Sequence, residues 1–140
     1  MKSILVVSPS FPYPSDYGGG VDIWRRIKSL VKLGYKVDLL ATVKSQPVKE
    51  DIEYVKGILN DVLFVERENK AVYLLSKTPL QVKSRAKLRD ISLSNAYDIT
   101  ILEGDYVGMI LENKSLHTKH ILLRNHNDES KYFKKLAFSS

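Results

Sequence analysis

The chain of 140 residues carries 22 basic and 16 acidic side chains for a formal net charge of +6, is 44% hydrophobic and contains no cysteine. That length suits a single domain able to bury roughly 65–70% of the surface its unfolded form exposes. Lack of cysteine excludes disulfides and any thiol nucleophile or ligand. No stretch approaches the ~20 apolar residues of a membrane span, and Ser8, Pro9 and Ser10 end the first apolar run too early for a secretory signal. A cytoplasmic protein is expected.

In chain order, residues 3–8 form a continuous apolar run, the pattern of a strand buried on both faces. A loop rich in Pro, Ser and Gly follows. Ile23, Ile27, Leu30 and Val31 then recur at helical spacing up to Gly34, a residue suited to the position just past a helix end. Residues 37–43 read as the second strand, 48–59 as a short helix through Ile52, Val55, Ile58 and Leu59, and 62–65 as the third strand. A helical stretch over 70–93 is broken at Pro79, which cannot donate to the helical ladder. A fourth strand at 98–102, a helix at 106–111 and a fifth strand at 120–123 follow, and Asn127 or Asp128 caps a final helix. This alternation predicts an α/β fold: a Rossmann-like, three-layer parallel sheet with helices on both faces. Ligands of such sheets sit outside the carboxyl ends of the strands, which here are segments 8–20, 42–46, 103–106 and 124–127.

Those segments hold the unusual residues. Gly18, Gly19 and Gly20 precede the first helix, where backbone N–H groups and the helix dipole suit an anion; the plainer reading is a flexible loop with a helix-entry glycine. About a dozen residues separate them from the first strand, so they are no dinucleotide fingerprint. His126, between Asn125 and Asn127 at a strand's carboxyl end, suits hydrogen bonding to a sugar hydroxyl or proton transfer near neutral pH, or a structural role. Glu103 and Asp105 flank Gly104; Asp105 is expected to cap the next helix, while Glu103 is left open between chemistry and structure. Asp128 and Glu129 favour the start of the last helix. Arg25 and Arg26 are within reach of phosphate but are expected to face solvent. Trp24 and the tyrosines read as packing residues.

The charge excess is uneven, +2 over residues 1–70 and +4 over 71–140, and gathers at Lys77, Lys83, Arg85, Lys87 and Arg89 against Asp90 alone. A solvated polar face is the simplest account; phosphate or anionic lipid is the other. No metal-ligand spacing, Ser/His/Asp arrangement or phosphate-binding loop ending in Gly-Lys-Ser/Thr occurs, so no metal is expected.

The first strand with Ser8-Pro9-Ser10-Phe11-Pro12-Tyr13-Pro14, the glycines 18–20, Arg26 ahead of Leu33-Gly34-Tyr35-Lys36-Val37, and the strand from Tyr97 to Gly104 together resemble the amino-terminal domain of GT-B glycosyltransferases. The retaining, family-4 type is the nearer match, because residues 124–133 are similar to the Arg-x-His-Asn-x-Glu-Ser segment of some of its members. The resemblance covers essentially all 140 residues. It implies a two-domain enzyme in which residues 1–140 bind the acceptor and a carboxyl-terminal domain, not included here, grips the donor. It further implies that Gly18, Gly19 and Gly20 approach the donor phosphates, that His126 contacts the transferred sugar as the catalytic candidate, and that Glu103, Arg124 and Asn127 belong to the substrate-binding set.

The implied function is sugar transfer from a nucleotide-sugar donor, a co-substrate rather than a cofactor, to a glycan or lipid-linked acceptor in polysaccharide biosynthesis. This half alone is expected to be inactive, and no nucleic-acid partner is implied. The basic stretch, with Leu80, Val82, Leu88, Ile91 and Leu93 as an apolar side, suits peripheral contact with an anionic membrane at its inner face. Two other readings stand beside this one: a stand-alone flavodoxin-like module that binds a small anion or a protein, and half of a GT-B nucleotide-sugar epimerase.

Overall fold

A computed structural model describes residues 2–14, 18–68 and 84–124. The elements are β1 (Ser3–Ser8), α1 (Gly18–Lys32), β2 (Lys36–Val43), α2 (Lys49–Lys56), β3 (Asp61–Glu66), a 3-10 helix (Ala86–Arg89), β4 (Ala96–Glu103), a second 3-10 helix (Asp105–Glu112) and β5 (His117–Arg124). All strand pairs are parallel and the sheet order is β3-β2-β1-β4-β5. This is the expected Rossmann-like α/β arrangement. The chain order reverses between β1 and β4, which makes their carboxyl ends the topological switch point.

Side chains alternate across a strand, and that alternation divides the core in two. Ile4 and Val6 of β1 and Val37, Leu39, Ala41 and Val43 of β2 pack with Ile23, Trp24 and Ile27 of α1 and Val55 of α2. Leu5 and Val7 point the other way and meet Leu40 of β2, Leu88 of the first 3-10 helix and Val107 and Ile110 of the second. Near-continuous apolar strands are therefore required, since both faces are covered.

The end of α1 is built as its sequence suggests. Gly34, at φ +95°, donates to the Val31 carbonyl at 3.0 Å, and the Tyr35 N–H donates to Leu30 at 3.1 Å. These are the two bonds of a Schellman motif, and Leu30 and Tyr35 both pack on the first core cluster as that motif favours.

The connections after β3 depart from expectation. The described part of the predicted 70–93 helix is a single 3-10 turn, with Leu88 and Leu93 buried and Ile91 packed against them. Those three residues face the core and not outward, so of the proposed apolar membrane side only Leu80 and Val82 are left, outside the described residues. The helix predicted at 106–111 is 3-10 over eight residues. Asn113 holds the two 3-10 segments together: its side-chain amide donates to the carbonyls of Leu88 and Ile91, both at 2.7 Å. Ser115 completes the tie by donating to Ile91 at 3.1 Å and accepting from the Leu93 N–H at 2.9 Å.

A second polar network lies at the amino-terminal end of the sheet. Asp38, only 2% exposed, accepts from Tyr97 Oη at 2.7 Å, Asn60 Nδ2 at 2.7 Å and Asn95 Nδ2 at 3.2 Å. It borders an open cavity of 240 Å³ also lined by Ser3, Lys36, Asn95, Ala96 and Tyr97. Three neutral donors satisfy the buried carboxylate, and together they join β2 to β4 and to the segments ahead of β3 and β4.

Burial holds the Tyr97 phenol well above its usual value near 10, and its bond to the Asp38 carboxylate adds to the rise. A raised folded pKa means that this contribution is whole below about pH 10 and is lost as the pH climbs beyond it. Urea midpoints should therefore fall above about pH 10, and Tyr97→Phe should remove that part of the slope; an unchanged slope would refute the assignment. Thr100 Oγ1 is buried and has no hydrogen-bond partner among the described residues. Thr100→Val should thus stabilise the chain by about 1 kcal/mol in the same assay.

Candidate functional site

The strand pattern dictates where Glu103 points. Ile99 and Ile101 of β4 pack on the α1 face, so Glu103, two residues further, lies on the same face at the strand's carboxyl end. Within α1, Arg26 sits one turn after Ile23 and beside Ile27, both buried, which carries its side chain over the edge of the same face. The two meet as a bidentate pair: Arg26 Nε donates to Oε2 at 2.7 Å and Nη2 to Oε1 at 2.6 Å. Arg124 is the register partner of Glu103 on β5, and its Nε stands 3.9 Å from Oε1.

Glu103 is 1% exposed. A carboxylate so desolvated persists only where close donors replace its water, and the planar fork of Arg26 supplies two in parallel. Arg26 is consequently not the solvent-facing side chain expected from the sequence. Arg25 is the exposed member of the pair. Glu103 and Arg124, drawn from separate segments of the sequence, are brought side by side. His126 and Asn127, with Asn125, Asp128 and Glu129, lie outside the described residues.

Gly18, Gly19 and Gly20 form the first turn of α1 instead of preceding it. Their N–H groups are among the four at a helix start that lack intrahelical acceptors. Because α1 returns from β1 to the start of β2, this end lies on the same side of the sheet as the carboxyl end of β1. Asp105 is the first residue of the second 3-10 helix; Gly104, at φ +100°, occupies the cap position, and no side chain caps that end. The acid favours the helix start by charge and not by the expected capping bond.

The loop leaving β1 is fastened where it is described. Phe11 meets Phe64 with ring centroids 5.4 Å apart, and Tyr13 meets Trp24 at 5.4 Å and Tyr54 at 4.6 Å. Arg85 adds a polar anchor that the sequence reading missed. It is 4% exposed, donates from Nη2 to the Pro9 carbonyl at 2.8 Å and from Nε to Thr42 Oγ1 at 2.7 Å, and lies over the Tyr106 ring at 5.4 Å. Arg85 thus joins the ends of β1 and β2 to the second 3-10 helix, apart from the exposed Lys87 and Arg89 with which its charge had grouped it. Its one sequence signal is weak: it is a cation three residues ahead of a leucine that is fully buried.

Among the described residues, no group of three or more His, Asp or Glu side chains is placed to hold a metal ion, and no helix is long and apolar enough to cross a membrane. What the carboxyl ends offer is a buried carboxylate flanked by two guanidinium groups, a helix start rich in glycine, and a loop after β1 that is tethered where it is described.

No known family model matches the chain. An uncharacterised 44.6 kDa protein of the cps region of Klebsiella pneumoniae is 40% identical over 140 residues, covering 97% of this chain. The chain spans 36% of that relative's length. Among solved structures, the carboxyl-terminal domain of a Pyrococcus furiosus hydrogenase superposes with a TM-score of 0.49 at 15% identity, over 87% of this chain and 92% of that one.

Arg26→Met should deprive the buried Glu103 carboxylate of its bidentate partner, at a cost of about 3 kcal/mol. Arg26→Met combined with Glu103→Leu should recover most of that loss in a denaturation cycle. Additive losses would show that the pair does not act as a unit.

Proposed function

We propose that this chain is the acceptor-binding portion of a glycosyltransferase that moves a sugar from a nucleotide-sugar donor to a glycan or lipid-linked acceptor in polysaccharide biosynthesis. The observation that carries the reading is the relative from a capsule (cps) region, which matches nearly the whole chain. The sequence resemblance to GT-B enzymes of the retaining type points the same way. In this reading the chain is the amino-terminal domain of a longer protein, and a second domain supplies the donor grip.

The arrangement at the switch point suits such a role. Sugar recognition relies on fixed hydrogen-bonding groups, and Glu103 is held in one orientation by Arg26. The N–H groups of Gly18, Gly19 and Gly20 suit a phosphate approaching the start of α1, whose positive dipole end would stabilise charge on the departing nucleotide. Glycine there lets the backbone come close to the ligand. His126 and Asn127, directly beyond β5, complete the set as contacts to the transferred sugar and the acceptor. No protein nucleophile is assigned.

The whole protein, incubated with a panel of nucleotide sugars and membrane or glycan extract, should release nucleoside diphosphate as the sugar is transferred. His126→Ala should lower turnover at least about a hundredfold, the scale of a lost proton-transfer or charge-stabilising contact, with little change in melting temperature. Undiminished turnover would remove His126 from the site. Failure of every nucleotide sugar to bind or react would remove the glycosyltransferase reading, and the small-anion or protein-binding module would replace it.

A further inference from the structure

Arg124 has more binding capacity than its surroundings use. Both oxygens of Glu103 already accept from Arg26 at 2.6–2.7 Å, whereas Arg124 stands 3.9 Å from the nearer oxygen, beyond hydrogen-bonding distance. Its side chain is 49% exposed. A guanidinium carries five N–H donors in a rigid fork and keeps its charge at any working pH. Among the described residues, two such groups face the one Glu103 carboxylate at the carboxyl end of β4 and β5, so the positive charge there exceeds the negative. Asp105, the next acid along the chain, makes no ion pair with either arginine among the described residues.

The geometry gives Arg124 a defined aim. Register pairing with Glu103 fixes its Cα at the sheet's ligand-bearing end, and the weak attraction of the carboxylate biases its side chain toward the switch point without occupying its donors. A neutral sugar hydroxyl would gain little from an unbalanced charge. An oxyanion gains two parallel charge-assisted hydrogen bonds.

We propose that Arg124 is a specificity determinant that receives an oxyanion carried by the acceptor: the carboxylate of an acidic sugar or the phosphate of a sugar phosphate. This rests on the acceptor-binding reading above and sharpens it from any glycan to an anionic one. Arg26 and Glu103 then act together as the fixed base against which Arg124 is positioned, and Arg124 is the group that touches the ligand.

The side-chain Nε–H signal of Arg124 in the ¹⁵N-labelled chain, assigned through its disappearance in Arg124→Gln, reports directly on that contact. D-glucuronate, glucose 1-phosphate, D-glucose and inorganic phosphate would be titrated separately. A saturable shift with glucuronate or glucose 1-phosphate, together with about tenfold weaker binding of that sugar to Arg124→Gln, supports the proposal, and the sugar that succeeds identifies the anion. Binding of D-glucose and its acidic counterparts with equal affinity, and no movement of the Arg124 signal, overturns the role of Arg124 while leaving a sugar site in place. A shift with inorganic phosphate as large as with either acidic sugar, and no sugar-dependent change elsewhere in the spectrum, overturns the acceptor reading on which it rests. No response to any of the four overturns the proposal. The dispersed backbone spectrum of Arg124→Gln shows whether the variant is folded in each case.

Discussion

A carboxyl group in a nearly dry position is the constraint around which the carboxyl end of this sheet is organised. Glu103 is withdrawn from water by β4, and desolvation on that scale exceeds what a single loose ion pair returns. Arg26 answers it with two short parallel bonds, and in doing so ties α1 to a strand on the far side of β1. The order β3-β2-β1-β4-β5 makes this possible, because β1 and β4 are neighbours while α1 leads away toward β2. The helix that connects β1 to β2 is thereby locked to the other half of the sheet as well.

Polar groups fasten the remainder of the molecule at places where apolar packing alone would leave the chain underdetermined. Asp38 gathers Tyr97, Asn60 and Asn95 at the amino-terminal end of the sheet. Asn113 and Ser115 bind the two 3-10 segments on the opposite face from α1, and Arg85 draws the loop after β1 against β2 and Tyr106. Each network is largely satisfied internally, the condition under which buried polarity specifies one arrangement and does not merely weaken the core. The side of the sheet without α-helices among the described residues is also the side most dependent on such bonds. A 3-10 helix has poorer hydrogen-bond geometry than an α-helix, and side-chain amides make up part of the difference.

The strands were legible because both faces of the sheet are covered: runs such as Ile4-Leu5-Val6-Val7 have no other stable location. Gly34 was legible for a local reason, since a left-handed residue ending a helix is a sequence-level event. Glu103 drew attention from its place at a strand end, and Arg124 through the resemblance of residues 124–133 to a family segment. What could not be read is pairing over long separations. Arg26 and Glu103 lie 77 positions apart, and nothing in either neighbourhood marks the other, so Arg26 read as a solvent-facing cation. Arg85 was similarly hidden inside a basic run whose other described members are exposed. Asp38 had a signal that went unused: a lone acid amid Val37, Leu39 and Leu40 in a strand covered on both faces must find buried donors. The helix at 106–111 was legible as a helix, but its 3-10 winding was not, because short apolar spacing does not separate 3-10 from α.

Gly104 brings these threads to one torsion angle. Its φ of +100° turns the chain immediately after Glu103, and a Cβ built there would meet no atom within 4 Å. The requirement is thus one of handedness and not of room. Inverting the signs of its φ and ψ, +100° and 171°, yields an ordinary extended conformation, so the backbone at this point is shaped for a residue of opposite chirality. A D-alanine introduced by chemical ligation would adopt these torsions without backbone strain. By narrowing the torsions open to the unfolded chain, it would stiffen the turn that presents the buried carboxylate.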